Sequence, residues 1–188
     1  MIPGSLARRY ARALLQLADT PIQREVFGRD LAAFHRTAAA SETGADGQPT
    51  PSLLHVLASG AYLVPERRAV LTRVLERMAL DPMVTKFLLF VFERGRIDGV
   101  PQIAQQYAEM ADALAGRVHA KLTSARPLAA DAVAKIKAAL ERSTGKTILL
   151  ETAVDPELIG GVVTKVGSVV YDGSLKTQLS NLRNALRG

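Results

Sequence analysis

Apolar positions in the first 115 residues recur every three or four residues, and the period then changes. Leu6, Tyr10, Ala13, Leu14 and Leu17 share one side of a helical wheel, with Ser5 placed to cap its start. Pro21 opens a second helix whose apolar side holds Val26, Leu31 and Phe34. Residues 41–52, SETGADGQPTPS, are dense in turn formers and read as a loop, and the short apolar piece LLHVLAS follows. Pro65 suits the first position of a further helix bearing Leu71, Val74, Leu75 and Met78. Asp81-Pro82 is an N-cap followed by proline. The helix it opens, MVTKFLLFVFE, is apolar nearly all round and stops at Gly95, a residue suited to the left-handed turn after a helix. Pro101 opens one more, with Ile103, Tyr107, Met110 and Leu114. About six helices with short connections pack most simply as an antiparallel bundle.

Around Gly116 the pattern becomes two-fold. In VHAKLTSA, Val118, Ala120 and Leu122 face one way, and His119, Lys121 and Thr123 the other, as in a strand. Pro127 opens a helix with Val133, Ile136, Ala139 and Leu140. TILLETAV reads as a second strand, and VVTKVGSVVYD as one or two more with Gly167 at a bend. Asp172-Gly173-Ser174 is a turn and cap before a last helix carrying Leu175, Leu179, Leu182 and Leu186. The predicted fold is α+β in two domains: a six-helix bundle over residues 1–112 and a small α/β domain over 117–188.

Composition narrows the function. No apolar run approaches the roughly 20 residues that span a bilayer, so direct membrane insertion is not expected. There is no cysteine, and His35, His55 and His119 have no ligand-type neighbour at helical spacing, so no metal site is expected. Charge is unevenly placed. Residues 1–116 carry 13 basic and 12 acidic side chains, a net +1, and residues 117–188 carry 11 and 6, a net +5. Two readings stand: a solvated, mildly basic second half, or a half that meets an acidic partner. Nucleic acid is not expected, because residues 117–188 hold one aromatic, Tyr171, where stacking would need several.

One stretch raises the question of catalysis. Glu141 to Leu150, ERSTGKTILL, contains the Gly-Lys-Thr that ends a phosphate-binding P-loop. The required glycine five residues earlier is Leu140. The order is also reversed, since a P-loop runs strand, loop, helix and here a helix comes first. Gly145 reads instead as the end of that helix. Asp155 and Glu157 could be paired as carboxylates, but the intervening Pro156 makes a solvated turn the simpler reading. No serine sits in a nucleophile-elbow sequence. No catalytic residue and no cofactor is expected.

LIGGVVTKVGSVVYDGSLKTQLSNLR, near the C-terminus, resembles the closing signature of the F-type ATP synthase delta subunit family, whose mitochondrial member is the oligomycin-sensitivity-conferring protein. The shared pattern is apolar-Gly-Gly, an alternating strand, a glycine, Asp-x-Ser and a leucine seam. ARRYARALLQLA resembles the family's opening helix, with its A-R-x-Y-A tyrosine at Tyr10, and FERGRIDGVPQI its E-x-G-R segment. The loop at 41–52 is longer than usual for the family, which leaves the start of the third helix open. The arginine-rich start could suggest a mitochondrial transit peptide. The resemblance begins at Ala7, so this segment is expected to be the first folded helix with no leader before it, in a bacterial chain or a mature organellar one.

The resemblance implies a non-catalytic stator. One copy per complex would link the alpha subunits of the catalytic head to the b-subunit peripheral stalk, on the cytoplasmic face of the bacterial inner membrane. It also implies a groove between the first and fifth helices for an amphipathic helix of an alpha subunit. Tyr10, Ala13, Leu14 and Leu17 would line one wall, and Phe87, Leu88, Phe90 and Val91 the other. The opposing reading is that the fifth helix is simply buried. On the stalk side the resemblance points to the last helix, with Lys176, Leu179, Arg183 and Arg187. Two other classes stand beside it: a two-domain adaptor for an unrelated helical partner, and a nucleotide hydrolase dependent on Lys146.

Overall fold

The computed structural model describes residues 3–41, 50–156, 158, 160–167, 169–175 and 177. Among them the fold is α+β, with seven α-helices and one four-stranded sheet. Contacts divide the chain into two units, Met1–Ala111 and Asp112–Gly188.

The first unit is helical. Helix α1 spans Gly4–Gln16 and α2 Pro21–Ala39. Ser5 does not cap α1: the helix begins one residue earlier, Pro3 holds the cap position, and no side chain bonds there. Thr20 instead caps α2, its hydroxyl accepting from the Gln23 N–H while Gln23 accepts from the Thr20 N–H. The short α3, Leu53–Ala58, starts at Ser52, whose hydroxyl accepts from the His55 N–H, and residues 42–49 of the preceding loop lie outside the described residues. Helix α4, Val64–Met78, has Pro65 in its first turn. Helix α5, Pro82–Glu93, begins at Asp81, whose carboxylate accepts from the Met83 N–H at 2.8 Å. It stops at Gly95, which takes φ +66, with the Arg96 N–H returning to the Val91 carbonyl at 3.0 Å. A single 3-10 turn, Ile97–Gly99, leads into α6, Val100–Leu114. Pro101 is thus the second helical residue, and Leu114, expected on the apolar side, is 62% exposed at the frayed end of α6.

The helices close on one core. Leu14, Leu31, Phe34, Leu71, Leu88 and Ile103 are each fully buried. Two polar ties cross it. The Tyr107 hydroxyl donates to the Arg24 carbonyl at 3.0 Å, and Asp30, 4% exposed, accepts from the Asp81 N–H at 2.8 Å, pinning the start of α5 to α2.

The second unit is a sheet of order β2-β1-β3-β4. Strand β1 is Arg117–Ser124, β2 Thr147–Val154, β3 Val162–Val166 and β4 Val169–Asp172. Strands β1 and β2 run parallel, joined through α7, Ala130–Thr144, and the other pairs are antiparallel. Pro127 does not open α7, which starts three residues later after Ala129. Ala120, Ile148 and Val166 form the buried centre, with Val118, Leu140 and Leu150 packed against it. Gly160-Gly161 sits against the turn after β4. A Cβ on Gly161 would meet the Gly173 carbonyl oxygen and lie 2.9 Å from the Ser174 Cα. Only a residue without a side chain permits this backbone-on-backbone approach. Asp172 completes the turn, accepting from the Ser174 N–H at 2.9 Å and from the Thr177 hydroxyl at 2.7 Å. These bonds hold its carboxyl below the ordinary value of 3.8.

Candidate functional site

Helices α1 and α5 leave a trough between them with a volume of about 510 Å3. Leu6, Tyr10, Ala13 and Leu17 form the α1 side at spacings of four, three and four residues, one stripe of a helix. Met83, Phe87 and Phe90 form the α5 side on the same rule. Leu17 is 50% exposed and Phe90 43%, a large uncovered apolar area for a unit with a closed core.

The floor is aromatic. The Tyr10 ring meets Phe87 edge-on with centroids 6.3 Å apart, and Phe90 at 6.3 Å in a tilted pair. Arg96 fixes Tyr10 from outside, its Nη1 donating to the Tyr10 hydroxyl at 2.9 Å. This bond joins the A-R-x-Y-A tyrosine to the E-x-G-R arginine, 86 residues apart in sequence. The left-handed turn at Gly95 brings Arg96 back toward the helix it has just left. Arg94 lies over the Phe90 ring, 5.0 Å from its centre.

The residues expected on the walls divide into two sets. Tyr10, Ala13, Leu17, Phe87 and Phe90 come together in the trough. Leu14, Leu88 and Val91 do not, since all three are fully buried in the core behind it. The correction has a simple cause. Leu14 is one step around the helix from Ala13, and Leu88 and Val91 are one step from Phe87 and Phe90, so they point across the inner face. Sequence reasoning missed Leu6 and Met83, although each lies four residues before an aromatic that it included. It also missed Arg9, Lys86 and Arg96 at the edges, and Asp30, which sets where α5 begins. Lys176, Leu179, Arg183 and Arg187 lie outside the described residues.

Other chemistry found in the sequence has structural work. Gly145 ends α7 at φ +66, and β2 begins two residues later, so Gly-Lys-Thr forms a helix-to-strand turn. The Asp155 N–H donates to the Ser124 carbonyl just past β2, and Glu157 lies outside the described residues.

Comparison with known proteins agrees along the chain. The family described as ATP synthase delta (OSCP) subunit matches residues 6–186. The ATP synthase subunit delta of Geobacter metallireducens is 42% identical over 187 residues, covering 100% of this chain and 99% of that protein. That of Geotalea uraniireducens is 38% identical with the same coverage. Among solved structures, a chain of the Toxoplasma gondii mitochondrial ATP synthase hexamer has the same fold, with a TM-score of 0.66 at 24% identity over 97% of this chain and 98% of its own. With a family match over nearly its whole length and full-length relatives at this identity, the chain belongs to the ATP synthase delta (OSCP) subunit family.

Proposed function

We propose that the chain acts as the non-catalytic stator subunit of an F-type ATP synthase. It joins the alpha subunits of the catalytic head to the b-subunit peripheral stalk, so that proton-driven rotation is coupled to ATP synthesis. Helices α1–α6 act as a six-helix bundle on the head, and residues 117–188 act on the stalk side. One copy serves each complex, at the cytoplasmic face of a bacterial inner membrane. Among the described residues no helix is long and apolar enough to cross a membrane.

The observation that carries the docking reading is the trough itself. Five of the eight residues assigned to the groove line it: Ala13, Leu17 and Phe90 are exposed, while Tyr10 and Phe87 form its floor and pack on the core behind. An amphipathic helix of an alpha subunit fits such a trough. Its affinity would still be bounded. Burying four or five partner side chains yields roughly 6–15 kcal/mol, and association costs on the order of 4–15. A stator under torque therefore gains from a second contact through the other unit, which linkage makes effectively intramolecular.

The test is a titration of the full chain with catalytic head lacking this subunit. Saturable one-to-one binding is expected. Ala13 is exposed on the groove wall, so Ala13→Asp should leave the unfolding midpoint unchanged while placing a carboxylate against the apolar stripe of the partner helix. That should weaken binding by about 3 kcal/mol, roughly a hundredfold. Unchanged affinity would remove the groove from the site. No binding by the full chain would favour the unrelated-partner adaptor.

A further inference from the structure

The apolar trough carries charge of one sign. Arg9 precedes Tyr10 on the α1 wall, and Lys86 precedes Phe87 on the α5 wall. Arg96 adds a third cation beside Tyr10. Among the described residues no Asp or Glu lines the trough. Arg9 and Lys86 are exposed and form no ion pair among the described residues. A solvated surface ordinarily intersperses both signs. Cations on both walls of an apolar trough instead discriminate, repelling a helix with basic flanks and attracting one with acidic flanks.

Resting on the docking reading above, we propose that this groove selects its occupant by charge as well as shape. The occupant is an amphipathic helix of the catalytic head with carboxylates on both edges of its apolar stripe, one edge meeting Arg9 and the other Lys86. Leu6 to Leu17 spans about 16 Å along a helix axis, so about three turns of the occupant are engaged. Its apolar side chains recur every three or four residues over that length, and its Asp or Glu residues adjoin them on either side. Exposed ion pairs add little to equilibrium affinity, and their stronger effects are on the rate of encounter and the choice of partner. The cations therefore act on association, while Tyr10, Phe87 and Phe90 act on dissociation.

Association of the full chain with catalytic head lacking this subunit, measured at about 50 and about 300 mM salt, tests the proposal. Wild type should bind faster at the lower salt. The double variant Arg9→Glu/Lys86→Glu should bind at least about tenfold more slowly there, with its salt dependence flattened or inverted and its unfolding midpoint unchanged. Arg9→Lys/Lys86→Arg should behave as wild type. Phe90→Ala, an uncharged change, should raise the off-rate and leave the salt dependence intact. Wild-type association by the charge-reversed variant, with binding still weakened by Phe90→Ala, would overturn the charge selection and leave the groove standing. No effect from either variant would overturn both.

Discussion

The two units build their cores differently, one from the inner faces of several helices and the other from one face of a sheet. In the helical unit Leu14, Leu31, Phe34, Leu71, Leu88 and Tyr107 are all fully buried and belong to one continuous core. In the sheet unit the described core centres on Ala120, Ile148 and Val166, and α7 contributes no fully buried residue. Val154, Val169, Val170, Tyr171 and Leu175 there are 44–55% exposed. In the helical unit Ile22, Leu63 and Val64 are 56–74% exposed without lining the trough, so exposure alone marks no site, and Leu17 and Phe90 differ in standing along one groove. The same holds in the sheet unit, where Leu122 and Ile148 are fully buried and Val169 to Tyr171 stay open.

Core truncation should give the largest effects. Leu88→Ala is expected to cost about 2–5 kcal/mol in urea unfolding, since the surrounding core can collapse only partly. Ile148→Ala in the sheet unit removes a side chain that is just as fully buried and should cost an amount in the same range. A loss under about 1 kcal/mol at Ile148 would mean that the sheet unit is not closed around it.

Next come the glycines. Gly161→Ala, which drives a Cβ into the Gly173 carbonyl at φ +81, should cost on the order of 3 kcal/mol. The loss should appear in exchange of the β3 and β4 amides and leave the helices unchanged. Gly95→Ala meets no atom within 4 Å and carries only the left-handed penalty, about 1 kcal/mol. The loss should loosen the α5 end that presents Arg96.

Smaller effects are expected from pH, with opposite limbs reporting on the two units. Burial pushes the Tyr107 phenol up to about 12, the nearby Arg24 opposing this weakly. The folded state favours the neutral phenol, so its contribution is complete below about pH 10 and is lost as pH rises through about 12. Tyr107→Phe should abolish that alkaline dependence in the helical unit. The Asp172 carboxyl is held low by bonds from Ser174 and Thr177. Its contribution is present above pH 3.8 and is lost as pH falls through the depressed folded value. Asp172→Asn should remove that acid limb from the sheet unit.

Much of this organisation was legible in the sequence because its signals are local. Asp81-Pro82 and Gly95 bracket α5 by cap and turn chemistry, and alternation in residues 118–123 marks β1 without reference to any other segment. Local signals also misled where they competed: Ser5 and Pro127 are good helix starters, but α1 begins at Gly4 and α7 at Ala130. The groove was legible as a pair of helices and only partly as residues. Helix α5 is apolar nearly all round, so periodicity does not separate Phe87 and Phe90, in the trough, from Leu88 and Val91, behind it. That division depends on which neighbours cover each face. The Tyr10–Arg96 bond and the order β2-β1-β3-β4 are likewise long-range, and no window of sequence contains them.

Amide hydrogen exchange of the full chain, free and bound to catalytic head lacking this subunit, tests the central claim most directly. Binding should slow exchange in α1 and α5, residues 4–16 and 82–93, while β1 and β2 exchange as in the free chain. Unchanged exchange in both helices, with new protection confined to residues 117–175, would contradict it.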